Sequence, residues 1–319
     1  MFKKPPFYLL ALTFILSGCG SDSSESAGSD STSDEQSQGE SQEESQEETQ
    51  EDTRTYESEN GPVEVPNEPK WVVSLAYTGS IAALDANIVG ADSWSDMNPR
   101  YDEYLEGAEV VSDESIEKII ELEPDLIVGY SDIKNIDKLQ EIAPTVTYTY
   151  DKLDYLSQHV EIGKLLNKEE KAQEWVDDFQ QRAEDTGDEV REEIGEDTSV
   201  TVVEVFDKEM YVFGNNFGRG TEILYQEMEL KMPEKVEEVA LEEGYHAISA
   251  EVLRDYVGDY LVLSTNPGEE NSFQQTETYN NMPAVQNAQV IEVNADEFYF
   301  NDPITLDFQL DLFEESFLK

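Results

Sequence analysis

Tyr211-Val212-Phe213-Gly214-Asn215-Asn216-Phe217-Gly218-Arg219-Gly220 is the stretch from which the fold of this chain is read. A strand-like run ends at Phe213. A loop with three glycines follows, and a helical segment is expected from Thr221 to Leu230. Glycine lets backbone approach a ligand closely. Arginine carries five N–H donors in a rigid fork that suits paired oxygens. Placed between two aromatics in a glycine loop, Arg219 is a candidate contact for an anion or a metal chelate. The same residues also suit a plain strand-to-helix turn in which Arg219 pairs with a neighbouring acid, and the local pattern leaves both readings open.

The surroundings of that loop are acidic. The 319 residues carry a formal net charge of -53 at a pI near 4.1. Nucleic-acid binding is excluded, because phosphate contacts need clustered Lys and Arg. Residues 20–60 hold 14 acids and one base, Arg54, so most of the excess charge lies on the part expected to fold. A body so charged repels itself at low ionic strength. Adaptation to high salt is the expectation, with stability rising as salt is added. The only cysteine is Cys19, so no disulfide can form within the chain. His159 and His246 lie far apart without ligand spacing, which argues against a zinc site.

Residues 1–18 have the layout of an export signal: Lys3 and Lys4, then an apolar run from Phe7 to Leu16. Leu16-Ser17-Gly18-Cys19 resembles the bacterial lipobox, which makes Cys19 the candidate lipidation site. Residues 19–60 are mostly Ser, Glu, Gln, Asp and Gly and are expected to form a disordered tether outside the cell membrane.

From Gly61 the composition changes. Trp71–Leu75, Ile88–Gly90, Leu126–Tyr130 and Pro144–Tyr148 are short apolar runs with the length of strands. Helical segments alternate with them at Tyr77–Leu84, Ile116–Leu122 and Ile133–Ile142. This alternation predicts a mostly parallel sheet covered on both faces. Two helices follow, 152–166 and 168–194; the second places Ala172, Trp175, Val176, Phe179 and Ala183 at helical spacing, a stripe read as core. The pattern then restarts with strands at Val200–Val205, Tyr260–Ser264 and Val290–Val293. It ends in a helix capped by Asn301 or Asp302, with Pro303 in its first turn. The fold class is α/β: two Rossmann-like lobes, 61–166 and 195–319, joined by one long helix, 167–194. A ligand is expected in the cleft between the lobes, outside the strand ends.

With these segments in place, the chain resembles the substrate-binding lipoproteins of iron-siderophore ABC importers, a class III periplasmic-binding-protein family. The carriers are Ile116-Glu117-Lys118-Ile119 with Glu123-Pro124-Asp125-Leu126-Ile127, the run Ile162 to Ala172, and Ile248-Ser249-Ala250-Glu251. The loop at 211–220, Gly258-Asp259-Tyr260 and the run Tyr299 to Phe308 are similar to a narrower group, the ferric-hydroxamate-binding lipoproteins of Gram-positive bacteria. The resemblance implies two lobes on a rigid helix, a shallow aromatic cleft and an Fe(III)-siderophore ligand, with the iron held by the siderophore and no protein cofactor or metal ligand. It implies ligand contacts at Arg219, Tyr211, Phe217, Tyr279, Tyr299, Tyr130, Tyr77 and Trp94. Phe217 and Tyr279 stand where that group carries Trp. Glu117 and Glu251 are the implied docking acids for a membrane permease, which works with an ATPase; the protein itself is expected to be a monomer on the extracellular face.

The chemistry of such a ligand suits these residues. One arginine and several phenols can donate to hydroxamate oxygens while rings cover the apolar arms. An anionic catecholate asks for several cations, and only Arg219 lies on the cleft loop, although Lys134 or Arg100 could approach it. Haem asks for an axial His, Met or Tyr. A binder of catecholate, haem or cobalamin, and a surface-anchored enzyme or adhesin, are the alternative readings. No Ser-His-Asp set, phosphate loop or paired-cysteine motif points to catalysis.

Overall fold

Leu126-Ile127-Val128 is wholly buried, as a strand covered on both faces must be. It sits inside one of two five-stranded sheets. The computed structural model describes residues 53–206, 209–266 and 271–319. In chain order, β1 (Thr53–Ser58) and β2 (Gly61–Pro66) form an antiparallel hairpin. The first sheet then alternates with helices: β3 (Val72–Ser74), α1 (Thr78–Ala83), β4 (Ile88–Ala91), α2 (Ser93–Met97), β5 (Glu109–Val110), α3 (Ile116–Glu121), β6 (Leu126–Tyr130), α4 (Ile136–Gln140) and β7 (Thr145–Tyr148). Two helices follow, α5 (Tyr155–Leu165) and α6 (Glu169–Ile194). The second sheet is built from β8 (Val200–Phe206), β9 (Glu209–Phe213), α7 (Glu234–Ala240), β10 (Tyr245–Ile248), β11 (Tyr260–Thr265), α8 (Glu277–Asn280), α9 (Pro283–Gln286) and β12 (Val290–Asn294), with α10 (Pro303–Phe317) last.

The first sheet runs β5-β4-β3-β6-β7, all parallel. The second runs β10-β9-β8-β11-β12. There β11 is parallel to β8 and β12, while β9 is antiparallel to both β8 and β10. The second sheet is therefore mixed, and its reversed strand is the one that leads into the glycine loop.

Helix α6 buries Ala172, Val176, Phe179, Ala183 and Val190 along one stripe. Ala172 belongs to the core of the first lobe and the other four to the core of the second, so one helix is pinned in both. At 26 residues it is about 39 Å long. Glu169 and Glu170 at its start match the helix dipole, whereas at its end Arg191 is outnumbered by Glu192 and Glu193. Trp175 stacks on Phe179 at 4.9 Å and meets the His159 ring edge-on at 5.3 Å. Burial there lowers the His159 pKa to about 4.

The long helix is not alone at the joint. Helix α10 packs against α6 and α1. Asp302 caps it, accepting from the backbone N–H of Ile304 at 3.1 Å and Thr305 at 3.3 Å. The other Asp302 oxygen takes the Tyr101 hydroxyl of the first lobe and the Thr305 hydroxyl at 2.9 Å. The carboxylate lies over Gly79, where a Cβ would come within 1.9 Å of it, so only glycine fits. The sequence places the cap correctly but offers no sign that it also ties the lobes together.

Three expectations need revision. Composition places residues 53–60 in the tether, yet the folded hairpin begins at Thr53. Tyr56 supplies the reason: it is buried, with its hydroxyl 2.9 Å from that of Tyr148. One long-range aromatic anchor outweighs a polar composition. The segment after Arg219 is helical only briefly; Ile223–Glu227 is a π-helical turn rather than α-helix. The edge strand β10 has no apolar run, being exposed at Tyr245, His246 and Ala247, and so carries no strand signal in the sequence. Cys19 and the segments 1–18 and 19–52 lie outside the described residues. Among the described residues no helix is long and apolar enough to cross a membrane.

Candidate ligand-binding site

A cavity of about 650 Å³ lies between the two lobes. From the first lobe, Tyr77 follows β3, Trp94 follows β4 and Tyr130 ends β6, each at the carboxyl end of its strand, as crevices in α/β sheets are built. Tyr77 packs edge-on against Tyr130 at 5.2 Å, and Tyr130 against Tyr150 at 6.0 Å. From the second lobe come Phe217, Arg219 and Tyr299. Trp94 crosses the gap: it stacks on Phe206 at 6.1 Å and meets Tyr299 edge-on at 5.5 Å. It is still 47% exposed, a large apolar surface left open at a cleft mouth.

Arg219 is held from several sides. Its backbone N–H donates to Phe298 O at 2.7 Å. Its guanidinium carbon lies 5.0 Å from the Phe213 ring, 5.5 Å from Phe217 and 5.0 Å from Tyr299. Nε donates to Glu204 Oε2 at 3.1 Å and Nη2 to Glu204 Oε1 at 3.0 Å, a bidentate pair. Nη1 donates to Phe217 O at 3.1 Å. Three of the five donors are thus engaged within the protein, leaving two for another partner. Gly218 makes the turn possible: a Cβ there would sit 2.4 Å from Tyr299 O, and its φ is 68°.

The loop is braced from below by Glu222. This buried acid accepts from Gly218 N–H at 2.9 Å, Asn301 Nδ2 at 2.8 Å and the Thr221 hydroxyl at 3.1 Å. Burial pushes its carboxyl above the usual range, opposed by those three bonds. The phenols stay protonated. Burial raises Tyr77 and Tyr130 well above an ordinary tyrosine, and burial with the nearby Glu204 charge pushes Tyr299 to about 12. Near neutral pH all three are hydrogen-bond donors; Tyr299 gives its one O–H to Asn266 Oδ1 at 3.0 Å, so it meets a ligand with its ring.

Of the eight ligand contacts expected from sequence, six line the cavity: Tyr77, Trp94, Tyr130, Phe217, Arg219 and Tyr299. Two do not. Tyr211 sits on β9 opposite Glu204 with its ring 5.9 Å from Tyr245. Tyr279 is buried in α8 against Phe273 at 5.4 Å, inside the second lobe's core. Neither Lys134 nor Arg100 approaches. Lys134 pairs with Glu114 at 3.6 Å, and Arg100 donates to Glu297 at 2.7 Å while lying 3.7 Å over Phe308. Tyr150, Glu204 and Glu222 were missed. Tyr150 had a readable signal, since it closely follows the apolar run 144–148, and so did Glu204, an acid inside the apolar strand run Val200–Val205; Glu222 had none, being one acid among 73.

Residues 72–297 match the periplasmic binding protein family. The chain belongs to that family. This periplasmic binding protein is 35% identical to the iron(3+)-hydroxamate-binding protein FhuD of Bacillus subtilis, over 98% of this chain and 96% of that one. It is 32% identical to YxeB, a second iron(3+)-hydroxamate-binding protein of the same organism, over 98% and 95%. FhuD2 of Staphylococcus aureus, solved with bound ferrioxamine B, superposes with a TM-score of 0.75 at 32% identity, covering 78% of this chain and 98% of that one. Family membership makes it a binding protein and not an enzyme.

Glu117 and Glu251, the expected docking acids, are both exposed. Each closely follows the edge strand of its sheet, Glu117 after β5 and Glu251 after β10. The Ser249 hydroxyl lowers the Glu251 carboxyl.

Proposed function

We propose that this protein is the substrate-binding component of an ABC importer, capturing ferric hydroxamate siderophores and handing them to a membrane permease for iron uptake. The observation that carries this reading is the gathering of Tyr77, Tyr130, Tyr299, Phe217 and Trp94 around Arg219 in one interlobe cleft. It stands in a chain related over its whole length to iron(3+)-hydroxamate-binding proteins. A ferric hydroxamate presents partly charged oxygens around a shielded metal and apolar arms outside. The Tyr77 and Tyr130 phenols and the remaining Arg219 donors meet the oxygens, and the rings, that of Tyr299 among them, cover the arms. No side chain needs to ligate iron.

The placement at the membrane belongs to the same reading. Cys19 is the lipid anchor, residues 19–52 are the tether, and the chain works as a monomer on the extracellular face. Glu117 and Glu251 are the two acids that engage the permease. The acidic surface is an adaptation to high salt, so the melting temperature rises between low and molar NaCl; an unchanged midpoint removes that part.

Intrinsic fluorescence tests the ligand class. Trp94 lies at the cleft mouth, so a ferric hydroxamate added to the purified protein in high salt is expected to quench emission at low concentration. Quenching by haem, a ferric catecholate or cobalamin in its place redirects the ligand class. Silence with every chelate overturns the reading.

A further inference from the structure

Arg219 reaches the cleft already paired. Its partner Glu204 is 1% exposed and lies in the middle of the second sheet, on β8. Besides the two bonds from Arg219, Glu204 Oε2 accepts from the Ser264 hydroxyl of β11 at 3.2 Å. The carboxylate is thereby fixed to two adjacent strands, and the guanidinium is fixed to the carboxylate. The other cation lining the cleft, Lys152, pairs with Glu59 at 3.1 Å. Among the described residues that line the cavity, both cations are matched by acids, while Asp92, Asp151 and Asp154 add negative charge.

We infer that Glu204 is a positioning residue that also sets ligand charge: it aims the Arg219 fork into the cleft and cancels its charge, so that the cleft takes ferric hydroxamates of zero or positive charge and disfavours anionic ones. The inference rests on the ferric-hydroxamate reading and deepens it. Arg219 acts as a set of aimed N–H donors without acting as a net cation. A paired guanidinium keeps donor geometry but projects little field beyond the pair. Unpaired in a buried setting, it would attract anions strongly.

Three complexes on one linear ferric trihydroxamate skeleton test this. The first carries a terminal ammonium, the second has that amine acetylated, and the third has it succinylated, giving net charges of +1, 0 and -1. Affinities are read by fluorescence titration of the full chain. The wild type is expected to bind the cationic and neutral complexes at least tenfold more tightly than the anionic one. Glu204→Gln is expected to move the anion-to-cation affinity ratio about tenfold toward the anion. Glu204→Asp keeps the charge, so it retains the wild-type ratio even where all three bind more weakly. A role limited to supporting the fold would weaken all three alike, and an unmoved ratio in Glu204→Gln overturns the inference. Should Glu204→Gln not fold, the double variant Glu204→Gln/Arg219→Gln removes both charges. Its ratio stays within about threefold of wild type if the pair is neutral; a tenfold further loss for the anion shows that Arg219 acts as a bare cation and overturns the inference. A wild type that binds none of the three overturns the functional reading as well, whereas binding with an unmoved ratio overturns only the role of Glu204.

Discussion

The two lobes share a strand order and differ in one strand. Read β3 against β8, and β4, β5, β6, β7 against β9, β10, β11, β12; the only reversal is β9. In the first lobe the chain leaves β3, crosses through α1 and returns parallel, so its cleft residues are simply those at strand ends. In the second lobe β9 doubles back on β8, and the chain must cross to the cleft through the loop from Gly214 to Gly220. Both routes end alike. Tyr77 stands in front of α1 and Arg219 in front of the next helical turn, each in the left-handed region, with φ of 61° and 60°. For a bulky side chain that conformation costs on the order of 1 kcal/mol. Each lobe thus holds one strained residue at the start of a helix, aimed into the same space. The first lobe offers a phenol; the second offers a guanidinium with its own counter-ion.

This comparison orders the experiments. If both lobes must face the permease, Glu117→Ala/Glu251→Ala abolishes siderophore-dependent iron uptake in cells while titration shows unchanged ligand affinity; normal uptake breaks the symmetry. Next, Arg219→Ala removes the second lobe's charged donors and leaves its Phe217 and Tyr299 rings in place. It is expected to weaken ferric hydroxamate binding about a hundredfold, the worth of roughly two charge-assisted hydrogen bonds. Retained affinity would leave the first lobe's phenols and the rings of both lobes as the whole grip. Trp94→Ala opens the bridge between the lobes and is expected to cost about tenfold in affinity with little change in melting temperature, since this ring is already half exposed. The smallest effect on binding is expected at Tyr279. Because that ring is buried in the second lobe's core, Tyr279→Ala leaves affinity within about twofold yet destabilises the protein by about 3 kcal/mol in denaturant melts. A large affinity loss with a normal melt would place Tyr279 in the cleft after all.

Local pattern made much of the architecture legible. Continuous apolar runs such as Leu126–Val128 marked buried strands, 3.6-residue spacing marked the stripe on α6, and Asp302-Pro303 marked the start of α10, because each of these signals is a requirement of the nearby backbone. The first lobe's Tyr77 and Tyr130, implied as contacts by the resemblance, line the cleft at the ends of β3 and β6. Tyr211 and Tyr279 could not be excluded in the same way, since a tyrosine in a motif reads the same whether its ring faces a cleft or a core. What tertiary structure alone decided was which charges meet. The order of residues marks Glu204 as an acid inside an apolar strand but does not name its partner; its distance from Arg219 is set by the reversal of β9 and by the Phe298 carbonyl that turns the loop back. Secondary structure follows from neighbours along the chain; a buried ion pair depends on parts of the chain that come together only when the whole sheet has formed.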